Sequence, residues 1–334
     1  MYDIKSLVKQ SSINHPLRKS MESGDNYYKD FERCLVGITN VLSEKEIKDL
    51  LHNKLQLGMS EYNSTGYYQA ATELSVIDKF RSIPYDDFQY EKPVRKGTKK
   101  NPECTLLKHP FIINIEAKSP VIPAVPTVKN EQNKGLIFKA AGRLPTYKSD
   151  YKTLKDDLEN SGQDVELLLG KNKDNTMKDF LQSAHDKFAD FRDDNELNVL
   201  VVSLGNAHMI QEWCHYLYNH EGLLTAEPFV EHDSFSRVDV IIYTNLLHRH
   251  MNSESIKGSA WMMDDSFNLF LSNPFRQGVK NDVHRFLIPY IPNYSKEIQH
   301  HQVSGVAPQD LLDSLRVGSF IAYELEENQG IMLF

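Results

Sequence analysis

Apolar positions recur with two different periods along the chain, and the switches between them outline its elements. The first 25 positions are polar and show no period, which reads as a loose arm. From 27 to 57 the spacing is helical, with Phe31, Leu35 and Ile38 followed by Leu42, Ile47 and Leu51. Ser43 and Glu46 stand three apart, the signature of a capping box that restarts a helix. A second helix is predicted over 67–80, where Tyr67, Ala70, Ala71, Leu74, Ile77 and Phe80 form an apolar stripe that Pro84 closes.

The period then shortens to two. Segments 104–108 and 111–118, the second rich in Ile and bounded by Pro110 and Pro120, read as a hairpin. Residues 119–160 are broken by Pro120, Pro123, Pro126 and Pro145 and read as an irregular insertion. Beyond it follow a helix at 176–192, a buried strand at 199–204, a helix at 208–219 and a strand at 238–243. Strands alternating with helices predict an α/β fold built on a mixed sheet. The last 80 residues alternate apolar pieces, at 267–271 and 286–291, with turns, and end in a helix near 309–315. The organisation expected is an N-terminal helical extension (1–58), an α/β core (59–250) and a C-terminal addition (251–334) that is a candidate dimer contact.

Composition narrows the class. With 40% hydrophobic and 25% charged positions in 334 residues, the chain has the make-up of a globular protein rather than a disordered or fibrous one. No stretch approaches the roughly 18 apolar residues a bilayer requires, so the expected location is the cytoplasm and a membrane is not an expected partner. Cys34, Cys104 and Cys214 are an odd, scattered set that suits neither a disulfide framework nor a zinc site.

Charge is distributed unevenly. Between 92 and 155 there are 14 Lys and Arg against Glu103, Glu116, Glu131 and Asp150, so this block carries +10 within a chain of net charge −8, and the remainder carries −18. Such a block can grip a polyanion.

The hairpin carries the candidate chemistry. Alternation along 111–118 puts Ile113, Ile115 and Ala117 on one face and Ile112, Asn114, Glu116 and Lys118 on the other. If His109 and Pro110 make a two-residue turn, paired positions sum to 219 and Glu103 lies opposite Glu116, with the two carboxylates about 5 Å apart. Adjacent carboxylates need a proton, a neighbouring cation or a bridging dication. Hard oxygen donors without Cys or His suit Mg²⁺ or Mn²⁺.

Taken together, Asn101-Pro102-Glu103, the short hairpin and Glu116-Ala117-Lys118 resemble the PD-(D/E)xK nuclease superfamily and its restriction-endonuclease-like fold. Glu103 stands where that family more often has Asp. The family also often places a Glu on a helix before the hairpin, and Glu73 is in that position, on a ridge with Ala70, Ile77 and Phe80. The resemblance covers about 60–245. It implies a metal held by Glu103 and Glu116 with Glu73, Lys118 orienting or helping to deprotonate a water or countering transition-state charge, and hydrolysis of DNA, most often in restriction or defence against foreign DNA. Gln182 is a weaker candidate for the same site. Arg95, Lys96, Lys99 and Lys100 would hold backbone phosphates.

Two rivals stand beside this reading. One is an inactive protein of the same fold that binds nucleic acid or a protein as a regulatory or inhibitor subunit. The other is an acidic interaction protein that docks a basic partner or mimics DNA. His248, Arg249, His250, His300 and His301 read as packed or solvated side chains, and Asp239, Asp264 and Asp265 as turn and ladder residues.

Overall fold

In the computed structural model, which describes residues 3–94, 100–121, 135–138, 147–161, 166–169, 173–190, 193–219, 221–305 and 309–328, the chain begins with helices rather than a loose arm. Helices α1 (Ile4–Gln10) and α2 (Pro16–Ser23) bury Val8 and Leu17 completely. Each is too short to display a hydrophobic period, and their signals are punctuation instead. Asp3 caps α1, Pro16 opens α2, and Gly24 ends it at φ 78°, a left-handed cap that suits glycine. The next helices are α3 (Asn26–Thr39), α4 (Glu44–Asp49), which carries the Ser43–Glu46 capping box, and α5 (Ser64–Ser82). A π-helical turn, Leu50–Lys54, extends α4.

The strands follow as β1 (Asp87–Tyr90), β2 (Cys104–Lys108) and β3 (Phe111–Lys118), the last two bounded as the sequence predicts. The segment read as irregular at 119–160 holds two regular pieces. A short strand, β4 (Gly135–Phe138), pairs in parallel with β5 (Glu166–Leu169), and helix α6 (Tyr147–Asn160) lies between them. Helix α6 is polar over most of its surface, so it shows no apolar stripe to read. The chain continues through α7 (Lys173–Lys187), β6 (Glu196–Ser203), α8 (Ala207–Tyr218), β7 (Val240–Thr244), α9 (Leu246–Met251), β8 (Asn268–Ser272) and α10 (Asn281–Leu287).

The larger sheet has the order β1-β2-β3-β6-β7-β8. Strands β3, β6 and β7 run parallel at its centre, while β1, β2 and β8 are antiparallel to their neighbours. The protein is therefore α/β, with a six-stranded mixed sheet flanked by helices. All eight residues of β6 are buried, as expected of a central parallel strand covered on both faces. Val199 and Val201 pack with Ile113, Ile115 and Ala117 against α3, α5 and α9. Leu200 and Val202 face the other way, into a cluster with Phe188 and with Ile210 and Trp213 of α8. The N-terminal helices belong to the first cluster, and β8 lies within the segment expected as an addition, so both ends of the chain build the same layered unit. Among the described residues, no helix is long and apolar enough to cross a membrane.

Candidate active site

The β2–β3 hairpin forms in the register expected from a two-residue turn. Lys108 pairs with Phe111 and Cys104 with Ile115, so Glu103 stands across from Glu116. Glu116 is fully buried and Glu103 is only 7% exposed. Both acids approach one ammonium group: Lys187 Nζ lies 2.6 Å from Glu116 Oε1 and 3.7 Å from Glu103 Oε1. Lys118 Nζ contacts the same Glu116 oxygen at 2.5 Å. The other oxygen of Glu116, Oε2, is buried and has no hydrogen-bond partner among the described residues.

Glu73 reaches the cluster from α5 and is half-buried. It meets Glu103 through Lys54, whose Nζ lies 3.7 Å from Glu73 Oε2 and 3.9 Å from Glu103 Oε2 and also contacts Glu91. Lys54 sits at the end of the π-helical turn, with Nζ 5.6 Å from the centre of the Tyr90 ring. Glu91 follows β1 at φ 45°, a left-handed conformation uncommon for a residue with a side chain. The Asn101 amide donates to the Glu91 carbonyl at 2.7 Å, and the Glu91 N–H donates to the Glu103 carbonyl at 3.0 Å.

Electrostatics follow from this crowding. Burial is the main influence on Glu103, and the charges of Glu73 and Glu116 add to it, lifting its carboxyl to about 8 against the pull of Lys54 and Lys187. Burial also lifts Glu73, partly offset by Lys54 and Lys118. Burial opposes the charge on Lys118, but Glu116, Glu103 and Glu73 together outweigh it and hold the ammonium above the ordinary lysine range. Lys118 is therefore a cation at neutral pH. Lys54 is held up likewise, burial being overcome by Tyr90, Glu103 and Glu73.

The four residues expected from the sequence, Glu73, Glu103, Glu116 and Lys118, thus meet in one cluster. Lys54, Glu91 and Lys187 join them without having been anticipated. Gln182 does not: its amide donates at 2.9 Å to Asp186, the residue just before Lys187. Lys100 is exposed and pairs with the same Asp186 at 2.7 Å, while Arg95, Lys96 and Lys99 lie outside the described residues. Half of the insertion, 122–134 and 139–146, is outside them too.

The discounted groups have structural partners. His250 Nδ1 meets the Tyr27 hydroxyl at 3.0 Å and its Nε2 meets Ser75 Oγ at 2.9 Å. His248 bonds the Gly205 carbonyl, Arg249 those of Lys257 and Ser259, His300 that of Lys296, and His301 the Ser319 hydroxyl. Asp264 pairs with Lys79, and Asp265 accepts the Ser259 N–H. Asp239 is more than a ladder residue, being one half of a buried ion pair with Lys280 at 2.7 Å.

Family models, curated proteins and solved structures yield no match to the chain.

A dication's fit can be judged from the donors. Among the described residues, no group of three or more His, Cys, Asp or Glu side chains is spaced to hold a metal ion. Two carboxylates nevertheless converge on a single cation, one of them carrying a buried oxygen that lacks a partner. A hard dication suits these donors, with water completing its sphere.

Proposed function

We propose that the protein is a metal-dependent nuclease of the PD-(D/E)xK type with a restriction-endonuclease-like core, hydrolysing phosphodiester bonds in DNA, in restriction or defence against foreign DNA. The observation that carries this reading is the hairpin register, which sets Glu103 one step beyond the Cys104–Ile115 pair and so across from Glu116, whose Oε2 is buried without a partner among the described residues, beside the cationic Lys118. The chain order adds support, since helix, hairpin, helix and parallel strand follow one another as the resemblance leads one to expect.

Glu103 and Glu116 would hold Mg²⁺ or Mn²⁺, with Glu73 reaching it through water. Bound there, the ion would lower the pKa of a water molecule and neutralise charge on the scissile phosphate. A further positive charge near Glu103, beyond those of Lys54 and Lys187, would draw its carboxyl down from about 8, freeing its oxygens to bind or to accept a proton from that water. Lys118, as an ammonium, donates hydrogen bonds to the attacking water or to a phosphate oxygen and counters the negative charge that builds there. The new bond joins the water oxygen to phosphorus, and the ester P–O bond breaks. Lys187 keeps the two carboxylates together from the α7 side. Lys100, with Arg95, Lys96 and Lys99 just before it in sequence, supplies sequence-independent phosphate contacts.

The test is plasmid cleavage with Mg²⁺, Mn²⁺ or EDTA, using wild type and Lys118→Ala. Cleavage by wild type should require the metal, and the variant should lose at least about 100-fold in rate while still binding DNA. Equal traces from both proteins would assign the cleavage to a contaminant and reject the nuclease. A binding-only protein is the second reading, favoured by the three lysines that already neutralise these acids. It requires DNA binding indifferent to EDTA and no metal-dependent cleavage by wild type.

A further inference from the structure

Three side chains from the last part of the chain line up on a cavity that the acid–lysine cluster does not reach. His301 closes the helix Ser295–His300, its N–H donating to the Glu297 carbonyl at 2.9 Å. Its ring stands edge-on to the buried Phe320, with ring centres 5.6 Å apart. The imidazole is thus held at its backbone and at its ring, and its side chain is only 11% exposed. Nε2 lies 3.0 Å from Ser319 Oγ, and Nδ1 lies 3.9 Å from Glu324 Oε1.

Ser319 belongs to the helix Arg316–Phe320, which passes into the π-helical segment Ile321–Asn328. A π turn bonds residues five apart instead of four, so the wider winding turns Glu324 back towards the side that carries Ser319, and such turns recur at functional sites. The helix is tied to α8, where the Gly318 N–H donates to Gln211 Oε1 at 2.8 Å. Ser319, His301 and Glu324 all line one cavity of about 730 Å³, with His208 and Gln211 of α8, Gln302, Leu315 and Tyr323 among its walls. A volume of that size takes a small organic molecule. Among the described residues that line it there is no lysine or arginine. A phosphate ester would bring its negative charge to Glu324 with no cation to offset it, whereas an uncharged carboxylic ester would not.

A hydroxyl within hydrogen-bond reach of an imidazole whose other nitrogen faces a carboxylate is the arrangement that activates a serine. A bond that merely fixed the His301 ring would need neither an acid on the far nitrogen nor an opening onto a cavity. We propose that Ser319, His301 and Glu324 form a second catalytic site, which hydrolyses small uncharged carboxylic esters. The site is independent of the nuclease reading, since neither metal nor nucleic acid takes part.

Ser319 Oγ bonds to the ester carbonyl carbon while its proton passes to His301 Nε2. Glu324 is a positioning residue: it faces the Nδ1–H and counters the charge on the ring. Gln302, next in sequence and on the same cavity wall, supplies an amide donor for the carbonyl oxygen as charge builds on it. The ester C–O bond then breaks, the alcohol leaves with the proton from Nε2, and the acyl group stays on Oγ. Water adds to the acyl carbon and gives a proton to Nε2. The bond to Oγ breaks, and that proton returns to Ser319 as the acid leaves.

The experiment treats the full chain, in EDTA, with a fluorophosphonate, whose phosphorus an activated serine attacks with loss of fluoride, and separately with p-nitrophenyl butyrate. Trypsin cuts after Arg316 and releases residues 317–334, in which Ser319 is the only serine, so mass spectrometry locates the adduct without any variant. The adduct should sit on Ser319, and hydrolysis of the butyrate should be saturable and blocked by that labelling. His301→Gln, checked for folding by circular dichroism, should lose at least about 100-fold in both rates. Glu324→Gln should lower kcat with KM nearly unchanged, and Glu324→Asp should restore part of the loss, a split that a merely structural role would not give. Wild type without an adduct on Ser319, an adduct that forms as fast in His301→Gln, or Glu324→Gln equal to wild type overturns the proposal.

Discussion

Replacing Lys187 by Met removes the ammonium that joins Glu103 to Glu116 while keeping an apolar stem of similar length. At an effective dielectric near 20, a unit charge 2.6 Å from Glu116 and 3.7 Å from Glu103 contributes about 6 and about 4 kcal/mol of gross attraction. Desolvation of the buried groups offsets most of that, and breaking a buried pair from one side costs about 3–5 kcal/mol. Lys118 remains on Glu116 at 2.5 Å, so the expected loss falls just below that range, at about 2–3 kcal/mol. The loss should grow with pH. Glu103 titrates at about 8 in the folded protein, well above an ordinary carboxyl, so the folded state holds a proton that the unfolded state has released. Stability therefore falls as pH rises between the unfolded and folded values. Lys187 is one of the cations restraining that shift, so removing it lifts Glu103 further and extends the unfavourable window to higher pH. Urea unfolding at pH 5.5, 7 and 8.5 reads both effects as changes in midpoint at constant slope. A loss under about 0.5 kcal/mol at pH 8.5, the level of a solvent-exposed pair, would show that the ammonium is not engaged with these acids. A loss independent of pH would show that it acts by packing alone.

Two other buried groups give expectations with opposite pH dependence. Asp239→Ala removes the carboxylate paired with the Lys280 ammonium, itself only 3% exposed, and should cost about 3 kcal/mol in urea unfolding, whereas Asp239→Asn should recover part of the loss through the Asn198 N–H. Burial raises Asp239 to about 6, so its contribution worsens as pH climbs from the ordinary carboxyl value to about 6, and an unchanged slope there in Asp239→Asn would refute the assignment. His250 moves the other way: burial, aided by Arg249, lowers it to about 3, so protonation is favoured in the unfolded chain and stability drains away as pH falls below about 6.5. His250→Gln, which can still bond Tyr27 and Ser75, should flatten that acid-side slope, and a slope identical to wild type would mean that another group is responsible.

What could be read from the sequence, and what could not, follows from how local each feature is. The hairpin register depends on a two-residue turn and on alternation within eight residues, so the meeting of Glu103 with Glu116 follows from nearest-neighbour geometry. The buried strand β6 and the helices beside it announce themselves by long apolar runs. Helices α1, α2 and α6 do not, the first two because seven or eight residues span too few turns, the third because it is polar on most sides. Strand β1 has four residues, too few for a convincing period.

The amines were the hardest part to see. Lys54 lies 49 residues before Glu103 and Lys187 lies 71 after Glu116, and in each case the flanking sequence looks like an ordinary polar helix end. A lysine at the C-terminal turn of a helix is expected for the helix dipole alone, which gives it a sufficient local explanation and hides any other. The buried carboxylates offered the one usable signal. Two acids placed side by side on a covered sheet face cannot remain uncompensated, and Lys118, which reaches only Glu116, leaves Glu103 and Glu73 without a cation. A search of the chain for lysines at element ends adjoining that face would have turned up both Lys54 and Lys187. The same reasoning explains why the N-terminal helices matter to the site: a cluster whose acids come from α5 and the hairpin, and whose cations come from the π-helical turn, β3 and α7, exists only when all of these are packed together.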